Sequence, residues 1–184
     1  MDTFLTLDDV DQEVKSKVYL QDYSKKGFID GVKLVELPTS IGEEGYFAEL
    51  SRLDQNGEMI GFPGFHLAQV NWVKMYPSTV KAWHLHLKQD EIWCVRPDSH
   101  LLVGLWDLRK NSHTKGKNMR IVMGEGKTQA LFIPKGVAHG SAIVNANTVE
   151  MLYFVDQVFD IKNPDEYRIN WNSLGADFWK PLRD

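Results

Sequence analysis

The sequence predicts an all-β fold, a barrel or sandwich of short strands, and three observations carry that prediction. Apolar and polar residues alternate with a period of two over many short runs. Clusters of Gly, Pro, Asn and Asp separate those runs, at Asp54-Gln55-Asn56-Gly57, Pro97-Asp98-Ser99, Lys115-Gly116-Lys117, Gly124-Glu125-Gly126 and Asn145-Ala146-Asn147. Hydrophobic residues make up 43% of the chain, enough to fill a packed core. Many short strands at such spacing are the pattern of a sandwich or barrel.

Taken in order, residues 1 to about 40 are mixed and polar, and predict an N-terminal arm with short elements. Strands are expected over Tyr46 to Leu50, Ala68 to Tyr76, Val80 to Lys88, Glu91 to Arg96 and Leu101 to Asp107. Met119 to Met123, Gln129 to Pro134, Ser141 to Val144 and Thr148 to Val158 continue the series. From Asn163 on, the tail is expected to hold a helical turn or two. Its Trp171, Phe178 and Trp179 predict that it packs back on the body.

A length of 184 residues fits one domain, 1–184, with its core at about 45–160. Net charge is −4 and the basic residues are scattered, so no nucleic-acid partner is expected. The single Cys94 excludes an internal disulfide and a Cys-rich zinc site. The acidic start, Met1 to Asp9, lacks the basic-then-apolar layout of a secretory leader. No apolar run is long enough for a bilayer, so a soluble cytoplasmic protein without a membrane partner is expected.

Chemistry concentrates in two stretches, Lys81 to Glu91 and Ile133 to Gly140. On a strand from Val80 to Lys88, His84 and His86 share one face with Ala82, and Trp83, Leu85 and Leu87 share the other. Glu91 follows after a bend, and His139 follows a Pro/Gly turn. Two readings stay open. In the first, His84, His86, Glu91 and His139 hold a divalent metal, since three imidazoles and a carboxylate suit Zn, Fe, Mn or Ni with positions left for substrate. This spacing is similar to the metal motifs of the cupin superfamily, except that Asp98 stands where Gly is common and no Asn lies four residues after His139. In the second, the same groups transfer protons. That chemistry needs a base, a group to orient it, an acid on the opposite face and a stabiliser of oxyanion charge.

Further motifs resemble the dTDP-4-dehydrorhamnose 3,5-epimerase family from about Gly45 to Pro181. They are Gln69-Val70-Asn71, Lys81-Ala82-Trp83-His84, Asp107-Leu108-Arg109-x-x-Ser112-x-Thr114-x-Gly116 and Leu131-Phe132-Ile133-Pro134-x-Gly136-x-Ala138-His139-Gly140. Tyr153 and the close Tyr167-Arg168-Ile169-Asn170-Trp171-Asn172, then Leu174-Gly175-Ala176-Asp177, extend the match, with a tail two residues shorter than the family's. The resemblance implies a cupin double-stranded β-helix, or jelly roll. It implies epimerisation of a nucleotide-linked 4-keto-6-deoxy sugar at C3, C5 or both, in deoxysugar and cell-surface polysaccharide (lipopolysaccharide) biosynthesis. It also implies a homodimer and no required cofactor. It assigns His84 as base, Asp177 as the carboxylate orienting it, Tyr153 as acid and His139 as a second site histidine. Phe47 and Glu49 correspond to residues holding the nucleotide, and Gln69, Asn71 and Lys81 to residues lining the cavity.

Departures from the family fall at informative places. Glu44 stands for an Arg, Lys81 for an Arg that clamps bidentately, Leu85-His86 for Tyr-Gln, Glu91 for a Lys, and Phe159 lacks a hydroxyl. Where the family's Lys is lost, His86 and Glu91 are gained, so a divalent cation replacing that ammonium is one expectation. Two rivals follow: a metal-dependent cupin isomerase or dioxygenase, and a non-catalytic sugar-binding cupin. Trp72, Trp83, Trp93 and Trp106 are expected in the core, and Arg109 is expected to brace the fold.

Overall fold

Alternation with punctuating turns produces strands where it is expected, and two places where it is not. The computed structural model describes residues 4–24, 27–145 and 147–182. Its strands are β1 (Lys33–Glu36), β2 (Thr39–Gly42), β3 (Gly45–Ala48), β4 (Gln69–Met75), β5 (Val80–Leu85) and β6 (Glu91–Val95). They continue with β7 (His100–Asp107), β8 (Asn118–Gly124), β9 (Gln129–Ile133), β10 (Val137–Ala142), β11 (Val149–Val155) and β12 (Tyr167–Arg168). The expected arm therefore ends early, because β1 pairs with β9 and joins the body ahead of residue 45. The tail carries one 3-10 turn, Ala176–Trp179, and also β12, which the sequence pattern did not indicate. Ala146, in an expected turn, lies outside the described residues.

Among the described residues all the pairings are antiparallel, in two five-stranded sheets ordered β1-β9-β6-β11-β4 and β12-β5-β10-β7-β8, with β2-β3 as a separate hairpin. The two large sheets face each other as a jelly roll. Leu101, Val103 and Leu105 of β7 point between them, against Trp93, Val95, Leu131 and Val137. Both outer faces are covered as well. Ile92, Cys94 and Phe154 turn outward under Met59, Phe62 and Phe65. Trp83 and Leu102 turn outward under Phe178 and Trp179. This double cover explains why β6 is buried at every position. Burying Trp179 under such a cover contributes roughly 1.5–3 kcal/mol, which anchors the tail. Trp72 departs from the expected core, its outer face of β4 being 65% exposed.

One irregularity shapes the site. Along β5 and β10, His84 pairs with His139, but the next partners are Lys81 and Ser141, so a bulge interrupts the ladder. The two strands approach so closely that a Cβ on Gly140 would lie 2.4 Å from the Ala82 Cβ. Strict alternation therefore fails at Ala82. It packs with Trp83 on the outer face, and Lys81 takes the inward place beside His84 and His86. β10 begins at Val137, four residues before the expected Ser141, because Val137 to Gly140 pair with Asp107 to Gly104 of β7, and Gly140 is buried inside the strand.

Candidate active site

A cavity of about 580 Å³ opens between the sheets, lined by His84 and Lys81 from β5, His139 from β10, Glu91 from β6, Tyr153 from β11 and Gln69 and Asn71 from β4. His84 and Tyr153 thus stand on opposite sheets of one cavity. Residues 157–168 cross its mouth. Asp165 pins that segment, its carboxylate accepting from the backbone N–H groups of Leu87, Lys88 and Gln89 at 2.7–3.1 Å. Gln69 accepts from Phe159 N at 3.0 Å and donates to Asn71 Oδ1 at 2.7 Å, which fixes the other end.

His84 has a determined tautomer. Its Nε2 lies 2.6 Å from Arg168 Nη1, and a guanidinium only donates, so Nε2 accepts. The ring proton then sits on Nδ1, 3.3 Å from Glu166 Oε1. Burial, reinforced by His139 and the Arg168 cation, pushes the His84 pKa down to about 3. A neutral imidazole is therefore the resting form. Tyr153 is half-buried, and burial, then the charges of Glu91 and Glu166, raises its pKa, so its hydroxyl keeps its proton.

A second cluster lies deeper. Glu91, 4% exposed, accepts from Gln89 Nε2 at 2.8 Å and from Trp93 Nε1 at 2.6 Å. His86 Nε2 is 3.1 Å from Glu91 Oε1, and His139 Nε2 is 3.4 Å from Oε2. His86 Nδ1 donates to the Asp165 carbonyl, and His139 Nδ1 to the Val137 carbonyl at 3.1 Å. Burial opposes charge on Glu91, yet His139, His86 and Trp93 outweigh it and bring the pKa to about 2. Burial likewise lowers His86, but Glu91 overcomes it and the net direction is upward. In His139, burial prevails and the pKa falls.

The cavity brings together His84, His139, Tyr153, Gln69, Asn71, Lys81, His86 and Glu91. Other expected positions lie elsewhere. Asp177 is on the tail's 3-10 turn, exposed and bonded to Lys180 at 2.6 Å, so it does not orient His84. That contact belongs to Glu166, which β12 delivers by pairing Arg168 with His84. Phe47 sits on the detached hairpin, 68% exposed, and Glu49 bonds Arg52 on the surface at 2.6 Å. Of the expected metal set, His86, Glu91 and His139 cluster, and His84 is turned to Glu166 and Arg168 instead. Glu166, Arg168 and Asp165 were missed because a two-residue strand leaves almost no periodic signal. The family-like Asp107 motif is structural: Arg109, Ser112 and Thr114 all bond the Asp107 carboxylate, away from the cavity.

The profile of the dTDP-4-dehydrorhamnose 3,5-epimerase family matches residues 26–182. The spore coat polysaccharide biosynthesis protein SpsL of Bacillus subtilis strain 168 is 41% identical over 150 residues, 82% of this chain and 95% of that protein. A dTDP sugar isomerase from Desulfovibrio desulfuricans G20 superposes with a TM-score of 0.68 at 23% identity, covering 79% of this chain and 88% of the other. The epimerase RmlC of Legionella pneumophila Philadelphia 1, solved with dTDP-4-keto-L-rhamnose, superposes with a TM-score of 0.66 at 21% identity, covering 78% and 74%. These two likenesses show the shared cupin fold.

Proposed function

The chain belongs to the dTDP-4-dehydrorhamnose 3,5-epimerase family of isomerases, and on that premise we propose that it inverts C3, C5 or both of a nucleotide-linked 4-keto-6-deoxy sugar. One observation carries the reading: a neutral His84 with its lone pair on Nε2 faces, across the cavity, a Tyr153 that retains its proton. A C–H beside a ketone is acidic because its electron pair can move into the carbonyl as an enolate. His84 Nε2 takes that proton, Glu166 stabilises the imidazolium through Nδ1, and Lys81 supplies positive charge near the developing oxyanion. Tyr153 returns a proton from the opposite face, which inverts the carbon. Electrons begin and end in the sugar, and family members of this type need no cofactor.

Arg168 occupies the same lone pair that the substrate proton needs. Substrate entry therefore displaces Arg168, and the diphosphate of a sugar nucleotide offers it an alternative anion. Phe47 and Glu49 do not line this cavity. A homodimer would bring them to the partner's cavity, and the exposed Ile41, Phe47 and Trp72 side chains support that arrangement. No helix of the described residues is long and apolar enough to cross a membrane. We place the enzyme in the cytoplasm, feeding a cell-surface polysaccharide, with the name of the B. subtilis relative as support and lipopolysaccharide as one such product.

The test is incubation with dTDP-4-keto-6-deoxyglucose in heavy water, following C3 and C5 by NMR. Deuterium should enter one or both carbons and be lost in His84→Ala. Folded parent protein that exchanges neither carbon would overturn the proposal.

A further inference from the structure

We propose that His86 Nε2, His139 Nε2 and a Glu91 oxygen bind one divalent first-row transition-metal ion at the floor of the cavity. The donor set comes first. One donor atom from each residue lies within 4.8 Å of the others, and all three residues are buried. Bonds of about 2.1 Å separate neighbouring ligands by about 3.0 Å at right angles and about 3.4 Å at tetrahedral angles. The observed separations are 3.1 Å from His86 Nε2 to Glu91 Oε1 and 3.4 Å from His139 Nε2 to Oε2, so the carboxylate meets each ring at ligand spacing through a different oxygen.

The second observation is the commitment of the opposite ring nitrogens. A carbonyl oxygen only accepts, so His86 Nδ1 and His139 Nδ1 both carry protons, given to Asp165 and Val137. Nε2 is therefore the nitrogen that each ring turns to Glu91, His86 at 3.1 Å and His139 at 3.4 Å. Glu91 favours a proton on His86, which a bound ion would displace, so that both Nε2 atoms and the carboxylate would share one cation. The backbone carbonyls would hold the rings in the ligating tautomer, and Gln89 and Trp93 would hold the carboxylate. Two imidazoles and one carboxylate leave further coordination positions, and all three residues line the cavity. His84 stays outside the set, which leaves it available as base.

Metal binding itself does not depend on the sugar assignment. A role for the ion does: it would polarise the keto oxygen beside Lys81, and that clause rests on the epimerase reading.

The experiment treats the purified full chain with chelator, removes the chelator, and titrates Co²⁺. Visible absorbance and calorimetry report the coordination and stoichiometry. Wild-type protein and His84→Ala should each take up one Co²⁺ saturably. His86→Gln and Glu91→Gln should bind at least about 100-fold more weakly, since loss of a ligand exceeds the loss of a ligand's support. Thermal melting identifies any variant that fails to fold, and one folded ligand variant suffices. Folded wild-type protein without saturable Co²⁺ uptake overturns the proposal, as does uptake that survives a folded ligand variant. Because no sugar is present, neither result bears on the epimerase reading, which the deuterium experiment tests alone.

Discussion

Glu91 and Asp107 are both buried carboxylates held below the ordinary range, and their partners differ in kind. Asp107 is closed in by groups that donate: Arg109 through Nε and Nη2 at 2.9 Å, Ser112 Oγ at 2.5 Å and Thr114 Oγ1 at 2.7 Å. Burial pushes its pKa up, and those hydrogen bonds pull it down further. Glu91 has two obligate donors, Gln89 and Trp93, and two imidazoles that can each hold or shed a proton. The first set fixes a turn. The second leaves protonation adjustable inside a cavity. Burial of a charge thus marks a site only when its partners can change state.

The largest expected effect lies on the structural side. Asp107→Ala strands the Arg109 guanidinium, which cannot shed its proton, and should cost about 3–5 kcal/mol of stability. At roughly 2–4 °C per kcal/mol for a chain of this size, melting should fall by about 10 °C. Exchange activity per folded molecule should be unchanged. A folded Asp107→Ala protein with equally impaired catalysis would break the comparison.

Glu91→Gln should show the opposite division. His86 can neutralise itself when its partner's charge is removed, so the loss of stability should stay near 1–2 kcal/mol. Deuterium exchange should fall about 100-fold, because the substitution removes a ligand of the proposed ion that would polarise the keto oxygen. A melting loss as large as that of Asp107→Ala would show Glu91 to be a structural carboxylate after all.

Acid titration sharpens the contrast further. The folded pKa of Asp107 is depressed below its ordinary 3.8, so its stabilisation is fully present above that value and is lost as pH falls through the folded one. Chemical unfolding of wild type and Asp107→Asn should therefore differ most at neutral pH. The gap should narrow only below about pH 3.8. A constant gap down to strong acid would mean that the variant fails through packing rather than through lost charge.

Most of the fold was legible because alternation and turn residues act locally. β4 to β9 and β11 lie within a few residues of their expected ranges. Failures came where tertiary contact overrides the pattern. β1 has only four residues and is recruited by β9, and the bulge against Gly140 replaces Ala82 with Lys81 in the cavity. In the site, residues on long strands converged as expected, because β5, β6, β10 and β11 enforce direction. Those from the tail did not, since a shortened tail moves every alignment-based assignment along it.

That displacement sets up the smallest pair of effects. Asp177 touches Lys180 in solvent, and Glu166 touches His84. Asp177→Asn should leave melting and exchange rate unchanged. Glu166→Gln keeps the shape but removes the charge facing Nδ1, and should slow exchange about tenfold, the value of one hydrogen bond to a charged group. Its carboxylate is 36% exposed, so water shares the task of stabilising the imidazolium and keeps the effect from growing larger. A slowed Asp177→Asn with a normal Glu166→Gln would require the tail to refold over the cavity during turnover, and would return the orienting role to the residue the family resemblance implied.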